Sequence, residues 1–155
     1  MIDRSVAEDL TVVLRDLIHD ARCMTSSLGP AALPASIARL LAVLEGSGEH
    51  RLGRLAGLLG IDLSVASRQS AAALERGFVE RRPDPDDGRA WLLHLTPAGE
   101  EALAAHRAAR AEWLRSVASS WSDGDARRLL ADLQRLREDL RAARLAARPG
   151  DLQPA

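Results

Sequence analysis

The chain has 155 residues, which suits one domain with or without extensions. Its formal net charge of −1 gives no global electrostatic case for a nucleic-acid partner, so any basic surface has to be local. The one cysteine, Cys23, excludes an intrachain disulfide framework, and no run approaches the roughly 18 apolar residues that a membrane span needs. We therefore expect a cytoplasmic protein with no membrane partner.

Helices are predicted near both ends of the chain by apolar residues at alternating steps of four and three. The first covers residues of about 5–28 and carries Leu10, Leu14, Leu17, Ala21, Met24 and Leu28 on one face. The region of about 97–147 holds two more helices, which open at Thr96-Pro97 and at the capping-box sequence of residues 122–125.

The middle of the chain, at about residues 34–96, contains shorter elements. A second helix follows Pro34 and ends at Gly46-Ser47-Gly48, and a third runs from Leu52 to Gly60. A fourth begins with Asp62 or Ser64 as N-cap and continues to Leu74. The tight turn between the third and fourth helices predicts a helix-turn-helix.

Two strands follow the fourth helix. Residues 78–83 (FVERRP) and 90–96 (AWLLHLT) have the length and the β-branched or aromatic content of strands, with DPDDG between them. The pattern predicts a mainly α fold with a small β-hairpin wing, in other words a winged helix-turn-helix with additional N- and C-terminal helices.

The apolar faces of the terminal helices have to be buried against another surface. A two-fold homodimer in which these helices from two chains pack together is the economical solution, so we interpret them as dimerisation helices. An intramolecular three-helix bundle that uses the same faces is the alternative.

The segment from residue 50 to residue 101 resembles the MarR-type (multiple antibiotic resistance) transcriptional regulators, which are winged helix-turn-helix homodimers. The matching parts are Leu55-Ala56, the run from Ser64 to Arg68, LERGFVERRPDPDDGRA, and LTPAGEE. The order of Asp87-x-Arg89 and the Leu-Thr-Pro entry into a long helix is similar to that family's wing. In place of the family's usual Thr or Ser cap, this chain has Arg51-Leu52-Gly53, and Gly88 stands where a second wing cation is common.

The resemblance implies double-stranded DNA as a partner and assigns its contacts. The recognition helix would present its first turns to base edges in the major groove, with the candidates Ser64, Val65, Ser67, Arg68 and Gln69. Phosphate contacts are expected from Arg39, Arg51, Arg54 and Arg81. We expect Arg89 to enter the minor groove while Asp87 holds its guanidinium in a bidentate pair.

The predicted DNA-binding segment carries little net charge. Between His50 and His94 there are seven arginines and six acidic residues, a net of +1 per subunit. We therefore expect weak non-specific binding and a modest salt dependence.

A small-molecule effector pocket is implied by the resemblance, and its candidate residues are His19, Met24, Leu41 and His106. His19 and Cys23 lie four apart on one helix, but a zinc site needs three or four ligands, so metal sensing is a minority interpretation. No cofactor is expected.

Function classes other than DNA binding have weaker support. A winged-helix module that binds protein is the alternative, motivated by the near-neutral charge and the acidic wing. An enzyme is not expected, because the sequence has no nucleophile elbow, phosphate loop or paired His-Glu metal motif.

Overall fold

The computed structural model describes residues 2–25 and 33–146, without the side chains of residues 21–25, 144 and 145. Its elements are α1 (Arg4–Thr25), α2 (Ala35–Ser47), β1 (His50–Arg51), α3 (Leu52–Leu59), α4 (Leu63–Glu75), β2 (Val79–Asp84), β3 (Asp87–Leu95), α5 (Pro97–Val117) and α6 (Asp123–Ala146). The strands form an antiparallel sheet in the order β1-β3-β2.

The predicted fold class is confirmed: the described part of the chain contains six helices and a small antiparallel sheet. Helices α2 to α4 and α6 begin and end close to the predicted residues. Two features differ from the expectation. Strand β1 was not predicted, because two residues carry no periodicity. Strand β3 begins at Asp87 rather than at Ala90, which shortens the loop of the hairpin.

The chain divides into two compact units, Met1–Glu112 and Trp113–Ala155. The hydrophobic core lies in the first unit. Its largest fully buried side chains are Leu40, Leu41, Leu55, Leu59 and Leu103. Ile37, Leu40, Leu41 and Leu44 of α2 lie in this core at helical spacing, and Leu93 and Leu95 contribute the inner face of the sheet.

The turn of the helix-turn-helix is closed by backbone and side-chain caps. Gly60 has a left-handed conformation with a φ of 64°, and the amide of Ile61 donates to the carbonyl of Ala56 at 3.1 Å. Arg39 of α2 donates from Nη2 to the carbonyl of Leu59 at 2.6 Å. Asp62 occupies the N-cap position of α4, although its carboxylate forms no capping hydrogen bond.

The end of α4, the start of β2, the end of β3 and the start of α5 lie close together. The Oγ1 of Thr96 donates to the carbonyl of Gly77 at 2.6 Å and accepts from the amide of Gly99 at 3.1 Å. The amide of Thr96 donates to the carbonyl of Phe78 at 3.1 Å. A Cβ atom on Gly99 would lie 2.2 Å from that carbonyl oxygen, so only glycine fits at this contact.

The terminal helices leave large apolar side chains exposed. In α1 these are Val6, Leu10, Val12, Val13, Leu17 and Ile18. Within the second unit, Leu129, Leu130, Leu133 and Leu140 of α6 are exposed in the same way. The predicted capping box opens α6, since Ser122 and Asp125 exchange two backbone-to-side-chain hydrogen bonds of 3.2 Å.

Among the residues that the structure describes, no helix is both long enough and apolar enough to cross a membrane.

We predict that Gly99→Ala destabilises the protein by roughly 1–3 kcal/mol, because the added Cβ forces α5 away from the carbonyl of Phe78. Chemical denaturation at a fixed protein concentration measures the change. The matched control is Gly57→Ala in α3, where a Cβ meets nothing within 4 Å. There the better helix propensity of alanine should stabilise by about 1 kcal/mol. Equal effects at both positions would contradict the close approach.

Candidate nucleic-acid interface

Helix α4 presents one face to the core and the opposite face to solvent. Ala66, Ser70 and Ala73 are buried at helical spacing. Ser64, Ser67 and Arg68 are exposed, in agreement with a role in contacting a partner, whereas Val65 and Gln69 are half-buried at the edge of the buried face.

The exposed face of α4 continues to Ala71, which the sequence reasoning missed. The helical period contained the signal, because Ser64, Ser67, Arg68 and Ala71 lie at spacings of three and four. The face consists of small side chains around one arginine, and such a surface allows the helix backbone to approach a partner closely.

The hairpin of β2 and β3 is irregular at its tip. Pro83 is paired with Trp91, but the next residue, Asp84, is paired with Asp87. This register shift leaves Gly88, Arg89 and Ala90 as an unpaired bulge in β3. Bulges re-aim side chains, and this one carries the exposed arginine that the family resemblance predicts for the minor groove.

Asp87 does not hold the guanidinium of Arg89 in this structure, which corrects the predicted bidentate pair. Its Oδ1 accepts a hydrogen bond of 3.2 Å from the backbone amide of Arg89. Its Oδ2 lies 3.5 Å from Nη1 of Arg51. The local turn satisfies the carboxylate with a backbone amide, as short acidic side chains commonly do two residues before an amide. Asp87 therefore shapes the backbone of the bulge.

Arg51 and Arg39 both have partners within the chain, so their guanidinium groups are less available to phosphate than unpaired ones, and a phosphate contact from either stays a prediction. Nε of Arg51 donates to Oδ2 of Asp84 at 2.6 Å. The positive charge of Arg51 is offset here, because its guanidinium faces the carboxylates of Asp84 and Asp87. Arg39 caps the carbonyl of Leu59. The sequence could not show either contact, since both join residues at least 20 positions apart.

Four other candidate arginines have exposed guanidinium groups that form no ion pair or hydrogen bond within residues 2–25 and 33–146: Arg54, Arg68, Arg81 and Arg89. They come from α3, α4, β2 and the bulge of β3. A guanidinium that is exposed and unpaired is available to a phosphate or to a base edge. These groups form the cationic part of the candidate interface.

Internal ion pairs change the local charge balance of the segment from His50 to His94. Arg51 faces Asp84 and Asp87, and Arg82 pairs with Glu80 at 2.6 Å. Five of the seven arginines and three of the six acidic residues of this segment remain outside these pairs. The surface that is left is more cationic than the net charge of the segment indicates.

The four candidate pocket residues lie in different surroundings. Leu41 is fully buried in the core, and His19 is exposed on α1. His106 is half-buried on α5, where burial, followed by the positive charge of Arg110, lowers the pKa of its imidazole. The side chain of Met24 lies outside the described residues, as does that of Cys23.

Among the described residues, no group of three or more histidine, cysteine or acidic side chains could hold a metal ion.

Comparison with known proteins gives one family. The family model described as "MarR family" matches residues 33–91, which include α2, the helix-turn-helix and most of the wing. An HTH-type transcriptional regulator of Mycobacterium bovis is 33% identical over 135 residues, which is 84% of this chain and 91% of that protein.

Solved structures agree with this match. A probable transcriptional regulator from Pseudomonas aeruginosa is 26% identical, with a TM-score of 0.64 over 84% of this chain and 98% of its own. A MarR family protein from Bacillus stearothermophilus, at 18% identity, shares the fold with a TM-score of 0.74 over 90% of this chain and 99% of its own.

The contact between Arg51 and Asp84 makes the free energy of unfolding depend on pH in the acid range. The hydrogen bond from Arg51, followed by that from the amide of Asp86, lowers the pKa of Asp84. A carboxyl group with a lowered pKa in the folded state stabilises the fold above its unfolded pKa of roughly 4, and this contribution is lost as the pH falls through the folded pKa. We predict that Asp84→Asn lowers the thermal midpoint at neutral pH and flattens its decline below about pH 4.

The exposed neighbour Asp86 supplies the control, because Asp86→Asn removes the same charge without removing the Arg51 contact. Some acid dependence should persist in Asp84→Asn, since hydrogen bonds with Arg107 and with Ser122 lower the pKa values of Glu45 and Asp125 respectively. Identical pH profiles for the two variants would contradict the prediction.

Proposed function

Because the chain belongs to the MarR family, a family of transcriptional regulators and not of enzymes, we propose that it is a repressor that binds a pseudo-palindromic operator as a homodimer. The repressor role, the dimer and a response to a ligand are our proposals. A protein that acts on promoter DNA works beside the chromosome, so we place it in the cytoplasm.

The observation that carries the proposal is the set of unpaired guanidinium groups on α3, α4 and the wing. Helix α4 enters the major groove, where Arg68 reaches a guanine or a phosphate and Ser64 and Ser67 accept or donate to nearby groups. Arg54 and Arg81 contact phosphates and fix the position of the helix.

Arg89 enters the minor groove that lies next to the α4 site. The bulge of β3 carries it at the tip of the hairpin, and its guanidinium is exposed. A narrow minor groove has a strong negative potential, which attracts an arginine without a specific hydrogen bond to a base. Readout by the wing therefore depends on groove width more than on base identity.

Two copies of the chain present two α4 helices to successive major grooves, roughly one helical turn apart. The exposed leucines of α1 and α6 support a dimer through the terminal helices, at about residues 5–28 and 97–147, because such faces are rarely left in water. The lobe at about residues 34–96 then contacts DNA.

We further propose that a small molecule releases the operator by binding better to a dimer with the wrong spacing between its α4 helices. The half-buried imidazole of His106 is a candidate contact for it. Fluorescence anisotropy of a labelled operator duplex, measured in the presence of candidate metabolites, tests this step. An operator affinity that no compound changes would count against it.

A winged-helix module that binds protein remains the competing function. The acidic wing motivated it, but Asp84 and Asp87 both face the guanidinium of Arg51, which offsets part of this acidity. Gel shifts with promoter fragments at low and moderate salt separate the two functions, since a protein-binding module gives no shift at any salt concentration.

We predict that Arg89→Ala and Arg68→Ala each lower operator affinity at least about ten-fold while the protein stays folded, because each removes an exposed cation from a groove. Fluorescence anisotropy with a labelled duplex measures the affinity, and circular dichroism checks the fold. Arg4→Ala is the control, since Arg4 pairs with Glu8 at the exposed start of α1. An affinity unchanged in both groove variants would refute the proposed interface.

Asp87→Ala should also weaken binding, although it removes a negative charge, because the amide of Arg89 loses its acceptor. Tighter binding by this variant would mean that repulsion between Asp87 and DNA outweighs its effect on the bulge.

The dimer is tested with Leu133→Glu in α6, a leucine that is 44% exposed in the single chain. We expect the dissociation constant of the dimer to rise at least about ten-fold, because a charge is buried in an apolar interface. Analytical ultracentrifugation measures it. Leu58→Glu in α3, at a leucine that is 41% exposed, is the matched control and should leave the dimer intact. A monomeric wild-type protein would contradict the proposal.

A further inference from the structure

The carboxylate of Asp84 is an acidic group with little exposure in a strongly polar hairpin. Only 7% of the residue is exposed, and both oxygens are in use. Oδ2 accepts from Nε of Arg51 at 2.6 Å, and Oδ1 accepts from the amide of Asp86 at 2.9 Å. A buried carboxylate that has lost its water needs such partners, so Asp84 and Arg51 depend on each other.

The same guanidinium reaches the second strand of the wing. Nη1 of Arg51 lies 3.5 Å from Oδ2 of Asp87, the residue that pairs with Asp84 across the hairpin. Arg51 thus bridges the two residues of the last pair before the turn. Since Oδ1 of Asp87 accepts from the amide of Arg89, a continuous set of contacts leads from Arg51 to the bulge.

The location of Arg51 gives this bridge its effect. Arg51 lies in β1 and is the N-cap residue of α3, so its backbone joins the helix-turn-helix to β3, with which β1 pairs at Leu92. The residues of the bulge form no β2 pair that could fix their position. A guanidinium with a rigid planar fork, held by two carboxylates, fixes the bulge relative to α3.

We propose that Arg51 is a positioning residue for DNA binding: through Asp84 and Asp87 it sets where Arg89 lies relative to the helix-turn-helix. It does not act as a phosphate contact, because its charge is already matched by carboxylates. The inference rests on the proposed function, since it assumes that Arg89 contributes to binding.

The experiment uses the full chain and a duplex that the wild-type protein selects from a random-sequence pool. Affinities are measured by fluorescence anisotropy over a range of salt concentrations. The variants are Arg51→Met, Arg51→Lys, Asp84→Asn and Arg89→Ala, with the double variant of Arg51→Met and Arg89→Ala. Arg82→Met is the matched control, because Arg82 lies level with Arg51 across the sheet, is equally exposed (48% against 49%) and pairs with an acidic residue.

We expect Arg51→Met and Asp84→Asn each to weaken binding about ten-fold, as the loss of a groove arginine would. In the Arg89→Ala background, Arg51→Met should have no further effect, because Arg51 acts only through the bulge. Arg51→Lys should also weaken binding several-fold, since an ammonium cannot span both carboxylates in the same way. Arg82→Met should stay within about two-fold of wild type.

A direct phosphate contact gives a different set of results, and that set would overturn the inference. Arg51→Met would then weaken binding equally with and without Arg89, and it would lower the salt slope by about one unit in both backgrounds. Arg51→Lys would bind nearly as well as wild type, and Asp84→Asn would bind more tightly. If Arg51→Met does not fold, the Lys and Asn variants decide alone.

If the proposed function is wrong, a third set of results is expected. In that case the wild-type protein selects no duplex from the pool, or Arg89→Ala binds as well as wild type. Either result removes the premise of the inference. A selected duplex, a weak Arg89→Ala variant and an unaffected Arg51→Met variant would overturn the inference alone.

Discussion

The close approach of α5 to the carbonyl of Phe78 determines how the DNA-binding lobe is held together. At this point α4 has just ended, β2 is about to begin, and Thr96 links the end of β3 to the start of α5. Glycine at position 99 allows the two backbones to touch, and the hydroxyl of Thr96 satisfies groups on both sides. Because a helix end and two strand ends share these few atoms, the base of the wing is anchored beside the end of α4. The bulge at the tip of the wing is not held by these contacts, and its nearest link to the helix-turn-helix is Arg51.

The arginines of the lobe fall into two groups with different tasks. Arg39 and Arg51 are used inside the protein, one as a helix cap and one as a bridge to the hairpin. Arg54, Arg68, Arg81 and Arg89 extend into solvent without a partner in the described part of the chain. Two acidic residues of the hairpin, Asp84 and Asp87, face Arg51 of the first group and offset its charge. A nearly neutral segment can therefore still present a cationic surface.

The sequence predicted the features that depend on neighbours along the chain. Apolar spacing located the helices, the Thr96-Pro97 pair located the start of α5, and the capping box located α6. It did not predict β1, the register shift at Pro83, or the partners of Arg39 and Arg51, because each depends on residues distant in sequence. The same limit explains the error at Asp87: its spacing from Arg89 suggested a guanidinium pair, whereas the backbone amide was the nearer donor. The exposed candidates on α4 could be predicted, since helical periodicity alone separates them from Ala66 and Ala73.

If the exposed leucines of α1 and α6 form the proposed dimer interface, they connect the amount of protein in a cell to the sharpness of its response. If each half-site needs one subunit of a dimer that dissociates when dilute, occupancy of the operator rises with the square of the subunit concentration at low abundance. A modest change in synthesis then produces a larger change in transcription of the controlled gene. The apolar faces of the terminal helices would thus set the concentration range over which the operator fills.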